Sequence, residues 1–188
     1  MNKKIAIFAS WAGSNAENII RYFADNKTFK FQIIISNNKN AQVHQRAKKF
    51  GIESKTLEFK DECDWLVLRD ILIDQQIDYV ILAGFLLKVP TVILNLFPKK
   101  IINIHPALLP KYGGKGMYGN HVHQAVCAAG EKESGITIHY VTENYDEGDI
   151  IFQVKCPVLP TDTPEDVAKK VHALEYEWFP KIIEKIWG

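Results

Sequence analysis

The segment from Ile102 to Pro106 contains the pair of side chains best suited to chemistry. Asn103 and His105 lie two positions apart at the end of an apolar run, so both point to the same side of an extended chain. An asparagine amide can donate to a developing oxyanion, and a nearby histidine can donate a hydrogen bond or pass a proton at neutral pH. Because the segment has no serine or cysteine nucleophile, it favours direct acyl transfer to an amine. Spacing alone leaves open that both side chains only satisfy hydrogen bonds of a turn.

A second segment, Ser10-Trp11-Ala12-Gly13-Ser14-Asn15, leads from the first apolar run into a predicted helix. Gly13 permits a tight turn, Ser14 and Asn15 offer side-chain donors, and free amides at a helix start add positive potential. These features suit a phosphate monoester. The segment is neither the full dinucleotide fingerprint nor a P-loop with its lysine, so an ordinary serine or asparagine helix cap is the alternative.

A third segment, Thr142–Asp149, is acidic and follows a later apolar run. One of its carboxylates beside His105 would favour the charged imidazolium. Spacing does not separate Asp146 from its acidic neighbours, and a solvated hairpin turn explains the same composition.

Alternating strands and helices must position these segments. Six apolar runs rich in Ile and Val predict strands, and amphipathic stretches of helical length lie between the early ones. The predicted strands are Lys4–Ser10, Phe31–Ser36, Asp78–Ala83, Lys100–Ile104, Gly135–Val141 and Ile150–Val158. The predicted helices are Ser14–Asp25, Ala41–Phe50, Cys63–Gln76 and Pro90–Phe97, followed by one near His121–Ala129 and a closing one from about Thr163 to Trp187.

The alternation predicts an α/β fold with a mostly parallel, Rossmann-like twisted sheet, helices on both faces and an antiparallel C-terminal portion. Such sheets bind ligands beyond the carboxyl ends of their strands. All three segments follow predicted strands. The closing helix is expected to be capped by Thr163 or Asp162.

Composition narrows the class of protein. The chain has 188 residues, which suits a single domain, and 23 basic against 22 acidic side chains give a net charge of +1. This balance gives no general attraction to nucleic acid or anionic lipid. Cys63, Cys127 and Cys156 fit neither a disulfide framework nor a paired-cysteine zinc site, and the run Ile5–Ser10 is too short for a signal peptide or a membrane span. We expect a cytoplasmic protein, a monomer or weak homodimer, that acts on small molecules.

The sequence resembles, nearly from end to end, the phosphoribosylglycinamide formyltransferases of the folate-dependent formyltransferase superfamily. An Asn-x-His-Pro block with a later Asp-x-Gly is typical of the superfamily, and the Gly-Ser-Asn loop is typical of this family. The resemblance rests on Gly13-Ser14-Asn15, Leu82-Ala83-Gly84-Phe85, Asn103-Ile104-His105-Pro106, Leu108-Leu109-Pro110-Lys111-Tyr112, Gly135-Ile136-Thr137-Ile138-His139 and Tyr145-Asp146-Glu147-Gly148.

The resemblance implies transfer of a formyl group from the co-substrate 10-formyltetrahydrofolate to the amine of glycinamide ribonucleotide, in purine biosynthesis and without a metal. It implies one domain, 1–188, whose N-terminal half binds the substrate phosphate and whose C-terminal half binds folate and carries the catalytic loop. The implied catalytic residues are Asn103, His105 and Asp146; the substrate-binding residues are Gly13, Ser14, Asn15 and Glu175; the folate-binding residues are Leu86, Leu87, Lys88, Val89, Asn103, Thr142, Glu143, Asn144, Tyr145 and Asp146. As a mechanistic hypothesis, Asn103 and protonated His105 stabilise the tetrahedral oxyanion while Asp146 keeps His105 charged.

Three segments depart from the family pattern. Leu86-Leu87-Lys88-Val89 replaces the usual Met-Arg-Ile-Leu, which is tolerable if backbone atoms bind the pterin. Phe59-Lys60-Asp61-Glu62 has no clear counterpart of a ligand-binding arginine, and we assign no replacement. Lys111–Gly119 is longer than the family's Lys-Tyr-Pro-Gly version and is a candidate lid.

Competing functions are a formyltransferase for another amine, a formyl-folate hydrolase, and a binding module without chemistry. We expect none of them: the chain has no room for the extra domains of the first two, and the intact Asn103, His105 and Asp146 argue against the third. His121 and His123 point roughly 200° apart on a helix, so they predict no shared metal site.

Overall fold

The computed structural model describes residues 2–188, which form seven strands and six helices. The strands are β1 (Lys3–Phe8), β2 (Phe29–Ser36), β3 (Glu53–Thr56), β4 (Tyr79–Leu82), β5 (Ile101–His105), β6 (Glu133–Tyr140) and β7 (Ile150–Pro157). The helices are α1 (Ser14–Tyr22), α2 (Val43–Lys49), α3 (Glu62–Asp74), α4 (Thr91–Leu94), α5 (Asn120–Ala128) and α6 (Pro164–Trp187).

The first part of the chain forms a parallel sheet. β2 and β4 each pair in parallel with β1, and β3 pairs in parallel with β2. The interior strand β1 is apolar after Lys3 and Lys4, and every residue from Ile5 to Ala9 is fully buried, as expected where both faces of a parallel sheet are covered. α2 packs on β2 and β3 and contacts α1.

The C-terminal part is antiparallel. β6 pairs with β7, with Ile136 opposite Val154 and Thr137 opposite Gln153. Residues 134–139 of β6 are all buried. α6 packs against both strands and against α5, and this packing buries Val171, Phe179 and other apolar residues of its inner face.

α6 begins with a capping box at Thr163. Thr163 Oγ1 accepts the Asp166 N–H at 3.2 Å, and the Thr163 N–H is donated to Asp166 Oδ2 at 3.2 Å. Asp162 instead accepts the Leu159 N–H at 2.7 Å and pairs with Lys170. Of the two candidates from the sequence, Thr163 is therefore the cap.

The strand order in the sheet is β3-β2-β1-β4-β5-β6-β7. The predicted fold class is confirmed: a mostly parallel α/β sheet, flanked by helices, with antiparallel C-terminal strands. Within this architecture the chain forms two compact units, one extending to Ile102 together with Gly188 and one from Asn103 to Trp187. The expectation of a single functional domain stays a prediction.

Two elements differ from the sequence-based expectation. The sequence does not predict β3, because Glu-Ser-Lys-Thr is short and polar, as is common for a strand at the edge of a sheet. The helix expected over Pro90–Phe97 is a single turn, Thr91–Leu94. After it the Leu96 and Phe97 amides bond three residues back, to Ile93 and Leu94, a tighter arrangement than an α-helix. Several other boundaries shift by a few residues.

Candidate active site

The loop that follows β1 is fixed by backbone hydrogen bonds. The Ala9 N–H donates to the Ile35 carbonyl and the Ser10 N–H to the Gly84 carbonyl, each at 3.0 Å. The Val43 N–H, at the start of α2, donates to the Trp11 carbonyl at 3.2 Å. The loop therefore has a defined path before α1 begins.

Gly13 is required at the helix start for two reasons. Its φ of 68° lies in the left-handed region, and a Cβ at this position would lie 2.4 Å from Val43 Cγ2. Because Gly13 holds the N-cap position, Ser14 and Asn15 are the first two helical residues, and none of the described side chains caps α1. The ordinary Ser or Asn cap is thus not what the loop forms, and anion binding by the first amides of α1 stays a prediction.

Arg46 contributes positive charge beside this loop. Its Nε donates to the Ala12 carbonyl at 2.7 Å, and its guanidinium pairs with Glu17 in the first turn of α1. Arg21 also binds Glu17, at 2.7 Å. The hydrogen bond from Arg21, aided by Arg46 and opposed by burial, holds the pKa of Glu17 below its ordinary value. Two guanidinium groups therefore offset the acidic charge in this helical turn.

The predicted folate-binding segment Leu86–Val89 is anchored by a hydrogen bond at its first residue, Leu86. The Leu86 N–H donates to Ser10 Oγ at 2.9 Å, and Ser10 is fully buried. Leu87 is half-buried, Lys88 is exposed and Val89 is buried. The bond at Leu86 ties this segment to the loop after β1, and no ligand role is tested for it.

Four side chains of the second unit form a polar cluster: Asn103, His105, His139 and Asp146. Asn103 Nδ2 lies 3.1 Å from His139 Nε2 and 3.5 Å from Asp146 Oδ1. His105 Nδ1 lies 3.5 Å from Asp146 Oδ2, and His139 Nε2 lies 3.5 Å from Asp146 Oδ1. The structure therefore brings together the three predicted catalytic side chains and adds His139.

Backbone carbonyls orient both histidines. His105 Nε2 lies 2.7 Å from the Tyr112 carbonyl oxygen, and His139 Nδ1 lies 2.9 Å from the Tyr140 carbonyl oxygen. A carbonyl only accepts, so these ring nitrogens carry hydrogens. With Nδ1 directed at the Tyr140 carbonyl, His139 Nε2 is the ring nitrogen that faces Asn103 Nδ2. The facing nitrogen of His105, Nδ1, points at Asp146.

Asp146 is fixed by the chain on both sides of it. It adopts φ 58° and accepts the Gly114 N–H at its Oδ2, at 2.9 Å. Aspartate tolerates this left-handed conformation better than most residues. Close packing also fixes the surrounding turns: a Cβ at Gly113 would lie 3.2 Å from Asp146 Cβ, and one at Gly148 would lie 1.7 Å from the Tyr140 carbonyl oxygen.

Burial dominates the protonation of this cluster. Burial lowers the pKa of His105 below its ordinary value, although Asp146 and the Tyr112 carbonyl act in the opposite direction. Burial alone would raise the pKa of Asp146, but His139, His105 and the Gly114 amide together hold it below its ordinary value. Asp146 therefore acts on His105 in the expected direction, toward the charged form, but burial outweighs it in the ligand-free protein. The role of Asp146 in catalysis stays a prediction.

Glu175 is buried on α6, with 4% of its surface exposed. Its Oε2 lies 2.7 Å from His172 Nδ1, and the His172 side chain is half exposed. The Glu175 charge also acts on the pKa values of His105 and His123. The predicted amine-binding carboxylate thus lies in the same unit as the polar cluster and within electrostatic range of it.

The predicted folate loop Thr142–Asp146 is mostly exposed. Thr142, Glu143 and Asn144 are exposed, and Tyr145 is half-buried. Within the loop Asn144 Nδ2 donates to Glu147 Oε2 at 2.8 Å. Only Asp146, at its end, reaches the cluster.

Sequence reasoning missed several contributors to the site. His139 was recognisable only as a residue next to the acidic loop, although its alternation with buried Thr137 on β6 places it on the same side of the strand. The Tyr112 carbonyl and Gly114 amide are backbone groups from the predicted lid Lys111–Gly119, and such groups leave no sequence signal. His172 gave no signal of its own, because its contact with Glu175 depends on the helix that brings the two side chains together.

Residues 2–188 meet neither the requirements of a metal site nor those of a membrane-spanning helix. Within residues 2–188, no group of three or more His, Cys, Asp or Glu side chains is arranged to hold a metal ion. No helix in this same part of the chain is long and apolar enough to cross a membrane.

The sequence matches a known family over most of its length. The formyl transferase family model matches residues 3–183. The chain is 34% identical over 191 residues to the phosphoribosylglycinamide formyltransferase of Bacillus subtilis, and the match covers 99% of this chain and 95% of that one. It is 38% identical over 190 residues to the chloroplastic phosphoribosylglycinamide formyltransferase of Arabidopsis thaliana, covering 98% of this chain. The chain spans 65% of the length of that plant protein and 61% of its counterpart in Vigna unguiculata.

Solved structures agree with these sequence relatives. The crystal structure of phosphoribosylglycinamide formyltransferase from Bacillus halodurans superimposes with a TM-score of 0.89 at 33% identity, covering 98% of this chain and 95% of that one. The enzyme of the same name from Streptococcus pneumoniae gives a TM-score of 0.86 at 34% identity, with 99% of each chain covered.

Proposed function

Because the chain belongs to the formyl transferase family, we propose that it transfers a formyl group from 10-formyltetrahydrofolate to the amine of glycinamide ribonucleotide, in purine biosynthesis. The relatives that support this substrate pair are named phosphoribosylglycinamide formyltransferases and match nearly the whole of this chain. We place this enzyme in the cytosol, because its cysteines are free thiols and its net charge is close to neutral.

The observation that carries the proposal is the cluster of Asn103, His105, His139 and Asp146. It contains an amide donor, a neutral histidine and an ionised carboxylate within 3.5 Å of their neighbours. Acyl transfer to an amine needs a donor for the oxyanion and a group that moves a proton from the attacking to the leaving nitrogen. The cluster offers both without a nucleophilic side chain.

Asn103 is assigned the role of oxyanion donor. One of its Nδ2 hydrogens is directed at His139 Nε2, at 3.1 Å. Its other contact, to Asp146 Oδ1, is at 3.5 Å, the long limit of a hydrogen bond. The second hydrogen is therefore weakly engaged and can turn to the oxygen of a formyl group as charge develops there.

His105 is assigned the role of proton carrier. The amine attacks the formyl carbon, a new C–N bond forms, and the proton of the amine passes to the imidazole. The imidazolium is stabilised by Asp146 on one side and by the Tyr112 carbonyl on the other. The proton then moves to the departing folate nitrogen as its bond to the formyl carbon breaks. A resting histidine with a lowered pKa suits this role, because it must be free to accept a proton at pH 7.

The remaining assignments follow the family resemblance. The Gly13-Ser14-Asn15 amides bind the phosphate, and Glu175 binds the amine. Backbone atoms of Leu86–Val89 and Thr142–Asp146 bind the pterin of the folate, which accounts for the exposed side chains of Thr142 to Asn144. In this arrangement the substitutions at Leu86 to Val89 relative to the family have little effect, because backbone atoms make the contacts.

A substrate comparison tests the proposal. Purified protein is incubated with 10-formyltetrahydrofolate and either glycinamide ribonucleotide, methionyl-tRNA or water alone, and free tetrahydrofolate and formylated product are quantified. We expect rapid turnover only with the ribonucleotide. Equal folate release in water would indicate a hydrolase, and turnover restricted to methionyl-tRNA would assign another amine; either result contradicts the proposal.

A further inference from the structure

Glu175 is a buried carboxylate. The charge of the adjacent His172 side chain decides whether Glu175 binds an amine in its charged or its neutral form. A buried carboxylate attracts a cation strongly when no other positive charge lies beside it. The substrate amine is an ammonium below its own pKa, which for an α-amino group is about 8. An ammonium has no lone pair, so it cannot attack a formyl carbon. A carboxylate that held the amine as an ammonium would therefore bind the substrate in its unreactive form.

His172 supplies a positive charge directly beside this carboxylate. His172 and Glu175 are three residues apart on α6, where side chains meet, and Nδ1 lies 2.7 Å from Oε2. The hydrogen bond to Glu175 raises the pKa of His172 above its ordinary value, and burial opposes this only in part. The His172 ring also stacks on Tyr176, with ring centres 6.2 Å apart.

The other histidines that interact with Glu175 are uncharged. His123 on α5 is 1% exposed, and burial followed by the His172 charge lowers its pKa. Burial likewise lowers the pKa of His105. The ring centre of His123 lies 6.3 Å from that of His172, so the buried His123 ring disfavours a second charge beside the first. Of these three histidines, His172 is the one whose pKa is raised, through its hydrogen bond to Glu175, so it holds a proton more readily than the other two.

We propose that the His172 imidazolium neutralises the Glu175 carboxylate, so that the substrate amine binds there uncharged and ready to attack. The inference rests on the proposed function, which places the amine at Glu175. The proton of the ammonium leaves to solvent on binding, and the carboxylate then accepts a hydrogen bond from the neutral amine. His172 is a positioning residue in this account: it touches Glu175, not the substrate.

Four variants separate charge from hydrogen bonding. His172→Phe keeps a ring against Tyr176 but removes both charge and donor, and His172→Asn restores a neutral donor. His172→Lys restores a charge three residues from Glu175. Lys181→Asn is the control, because Lys181 forms an exposed ion pair with Glu177 on the same helix, at 3.1 Å.

The measurement is the pH profile of kcat with saturating glycinamide ribonucleotide. We expect the acidic limb to move up by about one pH unit in His172→Phe and His172→Asn, roughly a tenfold lower kcat on that limb. His172→Lys and Lys181→Asn should keep the wild-type profile. In the double variant His172→Phe/Glu175→Gln the upward shift should vanish, because the carboxylate that would hold the ammonium is gone.

Two binding-independent readouts test the ion pair itself. The pKa of His172, followed by NMR, should fall in Glu175→Gln. Because this pKa is raised in the folded protein, the pair should stabilise the fold below the unfolded value of about 6.5 and lose this effect as pH rises through the folded value. The stability difference between wild type and His172→Phe should therefore shrink with increasing pH.

Each contrary outcome has a distinct meaning. Rescue by His172→Asn, or an unshifted profile in His172→Phe, overturns the inference while leaving the proposed function intact. An unchanged His172 pKa in Glu175→Gln overturns it at the level of the pair. Absence of turnover by the wild-type protein with glycinamide ribonucleotide overturns the proposed function and this inference with it.

Discussion

Replacing Gly13 with alanine tests the packing of the loop after β1 against a matched control. Gly13 and Gly51 have nearly the same backbone conformation, with φ of 68° and 66°. They differ in surroundings: a Cβ at Gly13 would lie 2.4 Å from Val43 Cγ2 and 2.6 Å from Val43 Cβ, whereas nothing lies within 4 Å of a Cβ at Gly51. The two substitutions therefore share the conformational cost and differ in the steric one.

The expected magnitudes follow from these two costs. A left-handed alanine costs about 1–2 kcal/mol, and this is the whole effect expected for Gly51→Ala. Forcing a methyl group into a filled space adds about 1–3 kcal/mol, so Gly13→Ala should lower the free energy of unfolding by about 2–5 kcal/mol. Val43 cannot easily move aside, because it is fully buried and its N–H is bonded to Trp11.

Urea-induced unfolding followed by circular dichroism measures both variants. The difference between them, about 1–3 kcal/mol, reports the contact with Val43. Equal destabilisation by Gly13→Ala and Gly51→Ala would refute the close approach of α2 to the loop. A second readout is affinity for a phosphate ester under conditions where the protein stays folded, which only Gly13→Ala should weaken.

Three further predictions concern the polar cluster and the last helix. Asp146→Asn keeps a side chain that tolerates φ 58° and should lower kcat by roughly 10²–10⁴-fold. The control Asp78→Asn alters a carboxylate that is bonded to the Lys4 N–H and should retain activity. Similar rates for the two variants would contradict the role of Asp146. By NMR titration, the pKa of His105 should lie below about 6.5. It should fall further in Asp146→Asn, because the carboxylate opposes the effect of burial. A rise of this pKa in the variant would contradict the stated effect of Asp146. Thr163→Ala removes the cap of α6 and should lower the free energy of unfolding by about 1 kcal/mol, so an unchanged urea midpoint would contradict the capping box.

Sequence patterns were sufficient for the fold because its strands are buried. β1, β2 and β4 are runs of Ile, Val and other apolar residues with buried cores, and such runs are recognisable without a structure. β3 was not recognisable, because an edge strand of Glu-Ser-Lys-Thr buries little and has no apolar pattern. The length of α4 was overestimated, because apolar residues at helical spacing also occur in a single helical turn followed by irregular chain.

The candidate site was predictable where its side chains share one strand. Asn103 and His105 share one strand, so their spacing alone placed them together. Asp146 needed the family resemblance, because any acidic residue of its loop fitted the spacing. The backbone groups at Tyr112 and Gly114 come from a loop whose path depends on tertiary packing. The effect of burial on the pKa of His105 could not be predicted for the same reason: a neighbouring carboxylate can be inferred from the sequence, but the degree of burial cannot.

Label transfer is the most direct test of the central claim. Wild-type protein is given 10-formyltetrahydrofolate labelled with ¹³C in the formyl group, together with glycinamide ribonucleotide, and the products are followed by mass spectrometry. The account predicts one labelled formylglycinamide ribonucleotide for each tetrahydrofolate released, with no labelled formate. Labelled formate without formylated ribonucleotide, or no transfer of label at all, would contradict it.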